Sequence, residues 1–357
     1  MRELERVRRA LAGAADRKEA ALVATVLSVD GSVYRGVGAR MVVLADGATA
    51  GAVSGGCLEA DIVARAEQLT MSRATEVIQY DTRSSSDAVL GLGLGCQGVI
   101  DVLLEPLVGE TLRAAISFYE RLAARRDPTV VVTLVRARPG SADVVGRRAV
   151  FDEAGALLEG DAGLLDRDET EVSREMVRPA VPFLICGAGA DAQPVATLAA
   201  DVGFHVTVVD HRAAFATAVR FPDADVVLHV NAAEDALALR ELVAIDERTA
   251  AVVMAHSATH DRAYLRAALQ GGAGYVGVLG PRRRMLELLG DPTGDGRIPP
   301  SIHSPVGLDL GAETPEEIAL AIVAEVSAVM AGRRGGFLRE RPGPIHPDRA
   351  RAEHFAS

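Results

Sequence analysis

The sequence predicts an α/β protein of two domains: a mixed α/β domain, then a domain built on a doubly wound parallel sheet. The chain has 357 residues, which suits two domains at roughly 100 to 200 residues each. Hydrophobic residues make up 49% and charged residues 24%, so each domain has material for a packed core. From Val181 onward short apolar strands alternate with amphipathic helices, and that alternation builds parallel sheets covered by helices on both faces.

In the first domain, residues 1–178, a charged helix fits 2–16 and a strand fits 20–29. Further strands fit 40–45, 75–80, 98–105 and 129–136, with helices over 58–71 and 110–126. Residues 137–178 turn to Gly, Asp, Glu and Arg with short apolar islands, which predicts a hairpin and then an exposed linker. In the second domain, residues 179–335, strands fit 181–186, 204–209, 225–229, 250–255 and 274–279. Thr314-Pro315-Glu316-Glu317 carries a capping residue, a proline for the first helical position and a glutamate that closes a capping box, so a helix follows to about residue 331. Residues 336–357 are proline-rich and charged and read as a flexible tail.

Composition removes several function classes. The net charge of −11 opposes the long-range phosphate attraction on which nucleic-acid binders depend. Lys18, in Arg17-Lys18-Glu19, is the only lysine, so no Gly-Lys-Ser/Thr phosphate loop can be built. All eight histidines lie beyond residue 200, which excludes an imidazole-based triad or zinc site in the first half. Three cysteines, Cys57, Cys96 and Cys186, do not make a disulfide framework. No leader and no bilayer-spanning apolar stretch is visible, so the expectation is a cytoplasmic protein with reduced thiols and no membrane partner.

Gly187-Ala188-Gly189-Ala190-Asp191-Ala192 is a G-x-G-x-x-A turn between strand and helix, and Asp210 ends the next strand 23 residues after Gly187. This spacing predicts a Rossmann fold, in which Gly189 admits a pyrophosphate and Asp210 accepts from a ribose. Asp191, however, sets a carboxylate where that phosphate would sit. NAD(P) or another adenine nucleotide, and a purely structural turn, both stay open.

Two stretches of the first half point to chemistry. Ser32, Arg35 and Arg40 lie in a glycine-held loop, where the arginines suit bidentate oxyanion contacts. Ser54-Gly55-Gly56-Cys57-Leu58-Glu59 then opens a helix. Its N-terminal amides at Gly56 and Cys57 would form an anion pocket and favour a Cys57 thiolate, which suits a soft ligand, a dithiolene or a transferred sulfur. Gly91-Leu92-Gly93-Leu94-Gly95-Cys96 supplies a second glycine-flanked cysteine. The plainer alternative is that both cysteines are small core residues. In the second half, His256, Arg282 and Arg283 follow strands at the ligand-binding rim of a parallel sheet. The alternatives there are a capping histidine and a solvated arginine face.

G-S-x-x-R-x-x-G-A-R-M, then S-G-G-C-L-E, the Rossmann pattern, and G-L-D-L-G-A-E-T-P-E-E-I-A together resemble the XdhC/CoxI family, accessory factors of molybdenum hydroxylases such as xanthine dehydrogenase. The resemblance runs from about residue 20 to about 331. It implies a chaperone that binds molybdenum cofactor, in mononucleotide or dinucleotide form, assists its sulfuration and inserts it into the apoenzyme. A molybdenum hydroxylase apoenzyme, a cysteine desulfurase and a second copy of the chain are the implied partners. Carried over by residue, the implied elements are Ser32, Arg35, Gly38 and Arg40, Gly55, Gly56, Cys57 and Glu59, Cys96, the Gly187 turn, and Gly307 to Ala312. An NAD(P)-dependent oxidoreductase and a nucleotide-sensing assembly scaffold are the competing functions.

Overall fold

The computed structural model describes residues 2–32, 34–81, 97–231, 238–290 and 297–340. The chain divides between Pro179 and Ala180 into two compact units.

The first unit holds two antiparallel sheets. β1 (Ala21–Ser32), β2 (Arg40–Leu44), β3 (Thr49–Gly51), β4 (Glu76–Asp81) and β5 (Gln97–Leu107) form a five-stranded sheet in the order β3-β2-β1-β5-β4. Along β1 the side chains alternate between two cores. Ala21 and Val23 join α1 (Arg2–Asp16) and α3 (Glu110–Ala123) on one face, while Leu22, Ala24 and Val26 meet α2 (Glu59–Ser72) on the other. Both helical faces follow from sequence: Leu4, Val7, Leu11 and Ala14 of α1, and Ile62, Ala66 and Leu69 of α2, recur at helical spacing and are buried.

β6 (Thr129–Leu134), β7 (Arg148–Asp152), β8 (Leu157–Glu159) and β9 (Val172–Val177) form the second sheet, in the order β8-β7-β6-β9. This corrects the expected exposed linker, because β9 pairs along its whole length with β6 and buries Val172 and Val177. Its middle, Ser173-Arg174-Glu175-Met176, reads as polar because its charges are used inside the fold. Arg174 donates to the carbonyls of Leu165 and Arg167, and Glu175 pairs with Arg40 of β2.

The second unit is a six-stranded parallel sheet with the order β12-β11-β10-β13-β14-β15. It comprises β10 (Pro182–Cys186), β11 (His205–Asp210), β12 (Val226–His229), β13 (Ala250–Val253), β14 (Tyr275–Val278) and β15 (Ile302–His303). Of the helices α4 (Ala192–Val202), α5 (Ala238–Leu242), α6 (Ala258–Gln270), α7 (Arg282–Leu289) and α8 (Pro315–Met330), α4 and α8 cover one face while α6 and α7 cover the other. This is the doubly wound Rossmann order, with its switch point between β10 and β13.

Thr314 caps α8 as the sequence predicts: its Oγ1 accepts from the Glu317 amide at 3.3 Å and the Glu317 carboxylate accepts from the Thr314 amide at 2.9 Å. Thr314→Ala is expected to destabilise the second unit by about 1 kcal/mol, read as a lower urea midpoint. Among the described residues no helix is long and apolar enough to cross a membrane.

Candidate functional site

In the first unit, α2 begins at Glu59 with Leu58 as its N-cap, two to three residues later than an anion pocket at Gly56 and Cys57 requires. Glu59 itself folds back into the turn. Its carboxylate accepts from the amides of Val53 (3.2 Å), Ser54 (2.8 Å) and Leu58 (3.1 Å), and from the Ser54 hydroxyl. Ser54 Oγ in turn accepts from the amides of Gly56 and Leu58, each at 3.1 Å. The Gly56 amide, expected to face an outside anion, is thus taken by the Ser54 hydroxyl, and the chain's own Glu59 carboxylate takes amides on either side of it. Burial pushes the Glu59 carboxyl up, but the hydrogen bonds from Ser54 and the surrounding amides outweigh it and hold its pKa below the ordinary value. Cys57 sits on this pinned turn, half-buried, with its Sγ donating to Ser54 Oγ at 3.4 Å.

The neighbouring 34–40 loop borders a cleft of about 380 Å³ lined by Tyr34, Arg35, Gly36, Arg40, Glu175 and Arg178, among others. Tyr34 borders both cleft and cysteine turn: a Cβ built on Gly55 would stand 3.8 Å from Tyr34 Cγ, an ordinary van der Waals separation. Arg40 is not free for an oxyanion, as its sequence position suggested. It is 2% exposed and makes a two-pronged ion pair with Glu175, with a further bond to the Gly38 carbonyl at 2.7 Å. Burial alone would lower the Arg40 pKa, but the Glu175 charge outweighs it and holds the guanidinium charged. Arg35 pairs with Glu3, which also accepts the Arg40 amide at 2.7 Å.

Ser32 ends β1 opposite Gln97. Cys96 lies outside the described residues. Cys186 is fully buried in β10, where burial and then the Asp261 carboxylate push its thiol up.

In the second unit, Gly187 adopts φ 126°, and a Cβ there would fall 2.5 Å from the Met254 carbonyl oxygen just after β13, so both conformation and space require glycine. Gly189 is covered by Asp191, whose Oδ1 a Cβ at 189 would strike. Asp191 Oδ2 lies 2.7 Å from His256 Nε2, and His256 is held in the left-handed region at φ 57°. Asp210 is fully buried. It accepts from the Ala188 amide at 2.6 Å, the Arg212 amide at 2.7 Å, and the Arg212 guanidinium at 2.9 and 2.8 Å. These bonds fix the glycine turn to the end of β11 and leave the carboxylate engaged within the protein.

Burial alone would raise the Asp210 pKa, but the Arg212 guanidinium and the two amides lower it to about 2. A depressed folded pKa contributes stability above the unfolded value near 4 and loses it as pH falls toward 2, about 2 kcal/mol in all. The stability gap between the native chain and Asp210→Asn, measured by urea unfolding, is thus expected to be widest above pH 5 and to close toward pH 2.

The arginine run opening α7 divides its duties differently from expectation. Arg282 is exposed, and Arg283 is 90% exposed and pairs with Glu287 one turn on. Arg284, the third arginine of the run, reaches Asp261 at 2.5 Å, and buried Asp261 also accepts the Ala255 amide at 2.9 Å. His256 and His260 take different partners. His260 contacts Ser257 Oγ at 2.9 Å and Asn231 Oδ1 at 3.2 Å, and stacks on His211 with ring centroids 3.6 Å apart. Among the described residues no group of three His, Cys, Asp or Glu could hold a metal ion. Glu3 and Glu175, which neutralise the two loop arginines, also escaped sequence reasoning; each is distant in sequence and no local pattern links it to its partner.

Comparison with known proteins agrees with both units. A profile for the "XdhC and CoxI family" matches residues 14–81, and one for the "XdhC Rossmann domain" matches residues 183–326. The chain is 33% identical over 315 residues to a probable xanthine dehydrogenase subunit of Bacillus subtilis (strain 168), covering 87% of this chain and 93% of that one. It is 26% identical over 312 residues to the molybdenum cofactor insertion chaperone PaoD of Escherichia coli (strain K12), covering 87% and 83%. The crystal structure of a xanthine dehydrogenase from Bacillus halodurans superposes with a TM-score of 0.77 at 29% identity, covering 95% and 98% of the two chains. Matched on both units, and along nearly the whole length of a relative one third identical, the chain belongs to the XdhC and CoxI family.

Proposed function

We propose that this protein binds molybdenum cofactor as cargo and inserts it into a molybdenum hydroxylase apoenzyme. The observation that carries this is Cys57, a half-exposed thiol on a pinned turn whose Gly55 lies beside Tyr34, a residue that also lines the neighbouring cleft. A soft thiol suits molybdenum or its sulfur ligand. The likeness to an insertion chaperone over 87% of the chain supports the same assignment. In this scheme a cysteine desulfurase supplies sulfur to the bound cofactor, and the chain acts as a homodimer. To test it, the chain is purified from a cofactor-competent host and mixed with molybdenum-free hydroxylase apoenzyme. Activation of the apoenzyme in proportion to added chain is expected. Activity no higher than with free cofactor alone would refute the insertion role.

The oxidoreductase and nucleotide-sensor alternatives both need an open dinucleotide turn. Against them, Asp191 covers Gly189 and Asp210 is engaged by Ala188 and Arg212. Calorimetric titration of the native chain with NAD, NADP and ADP is expected to give no binding tighter than about 1 mM, a free energy of roughly −4 kcal/mol. Micromolar binding lost in Asp210→Ala would restore those alternatives.

A further inference from the structure

β13 runs into α6 through a sharp connection, residues 254–257, at the carboxyl rim of the parallel sheet, where such sheets bind ligands. His256 within it is held at φ 57°, a conformation that residues other than glycine seldom adopt and that clusters at functional turns. The connection is fixed at both ends: the Asp261 carboxylate accepts the Ala255 amide at 2.9 Å, and the Asp261 amide donates to the Ser257 carbonyl at 2.7 Å. Ser257 is the N-cap of α6, yet its side chain makes no cap bond, whereas Thr314 caps α8 in the ordinary way. Ser257 Oγ instead lies 2.9 Å from His260 Nδ1, and His260 Nε2 lies 3.2 Å from Asn231 Oδ1. With Asn231 Oδ1 as acceptor, Nε2 carries the ring proton and Nδ1 turns its lone pair to the Ser257 hydroxyl. The ring is held by its stack on His211, centroids 3.6 Å apart. Asn231 is held beside α6 because the Tyr264 hydroxyl donates to the carbonyl of the preceding Val230 at 2.9 Å. Hydroxyl, imidazole and orienting amide in series are the parts of a nucleophilic serine, and all three side chains are partly open to solvent.

We propose that Ser257 and His260 are catalytic residues of a second site, with Asn231 as their positioning residue, and that this site hydrolyses small carboxylic esters. Ser257 Oγ adds to the ester carbonyl carbon while its proton passes to His260 Nδ1. The oxyanion that forms is met by the amides of Ala258 and Thr259, which a helix end cannot satisfy internally and which Ser257 does not cap. Collapse breaks the bond to the leaving alkoxide, which takes the proton from Nδ1 and departs as an alcohol. Water then adds to the acyl-serine, giving a proton to the same nitrogen, and the carboxylic acid leaves as that proton restores the Ser257 hydroxyl. His256 and Ala258, on either side of Ser257, are both exposed, so the approach is open and suits a short acyl group such as acetyl. This activity goes beyond the cargo assignment and does not depend on it.

The test treats the full-length chain with diisopropyl fluorophosphate, which phosphorylates an activated serine with loss of fluoride, and locates the adduct by peptide mass spectrometry. An adduct on Ser257 is expected in the native chain and not in His260→Phe, whose ring keeps the stack on His211 but cannot take a proton. With para-nitrophenyl acetate, the nitrophenolate release due to Ser257 is the native rate less that of Ser257→Ala, which subtracts the reaction of Cys57 and other exposed nucleophiles. His260→Phe should lower that difference by at least about 100-fold. Asn231→Leu should lower it about tenfold, whereas Asn231→Asp should match or exceed the native rate, since a carboxylate orients the same ring nitrogen. A merely structural Asn231 would show no such rescue. Ser257→Ala, whose lost hydroxyl caps nothing, should melt with the native chain. No adduct on Ser257 of the native chain, or equal ester release by the native chain and Ser257→Ala, would overturn the proposal. Neither readout uses molybdenum cofactor or apoenzyme, so that failure would leave the cargo assignment standing.

Discussion

Cys57→Ala is expected to lower activation of the hydroxylase apoenzyme by at least about tenfold while leaving the protein folded. The turn that presents Cys57 is held by Glu59 and Ser54 through bonds to the amides of Val53, Ser54, Gly56 and Leu58, none of which involves the thiol. The thiol's own contact is a long bond to Ser54 Oγ, a weak interaction whose loss should change stability by less than about 1 kcal/mol. Function and fold therefore separate at this residue. Thermal melting within about 2 °C of the native chain, together with strongly reduced activation, is the expected pair of results; a tenfold loss is a difference of about 1.4 kcal/mol. Undiminished activation would remove Cys57 from the site.

Arg40→Leu should have the larger effect on stability. Arg40 is almost fully buried between the two sheets of the first unit, with Glu175 as its counter-ion and the Tyr119 ring 5.5 Å from the guanidinium carbon. Removing one partner of a buried pair leaves an uncompensated charge and costs about 3 to 5 kcal/mol. The first unit is expected to melt roughly 6 to 20 °C lower, at about 2 to 4 °C per kcal/mol. Replacing both partners by apolar residues, Arg40→Leu with Glu175→Met, should recover most of the loss. If the double variant is as unstable as the single one, the pair's role lies in something other than mutual neutralisation.

Elements whose burial is written in local pattern were legible. The parallel strands are continuous apolar runs: β10 and β11 lie within one residue of their expected positions, and the capping box of α8 falls on the predicted residues. The Rossmann order follows from such signals together with the glycine turn. What escaped depends on partners far apart in sequence. Arg40 and Glu175 are separated by 135 residues and Asp191 and His256 by 65, and no periodicity connects them. β9 was hidden because a strand with Arg174 and Glu175 at its centre looks solvated until their partners are known. At the cysteine turn an outside anion was expected on the amides of Gly56 and Cys57; Ser54 takes the Gly56 amide and Glu59 bends back onto the amides of Ser54 and Leu58, contacts that no periodicity announces.

The cargo assignment is tested most directly by the molybdenum and pterin content of the full chain, purified from a molybdate-fed host that makes the cofactor. Elemental analysis should find molybdenum approaching one atom per chain, with one oxidised pterin recovered on denaturation, both falling sharply in Cys57→Ala. A native chain carrying neither molybdenum nor pterin, from a host whose other molybdenum enzymes are fully loaded, would contradict the account.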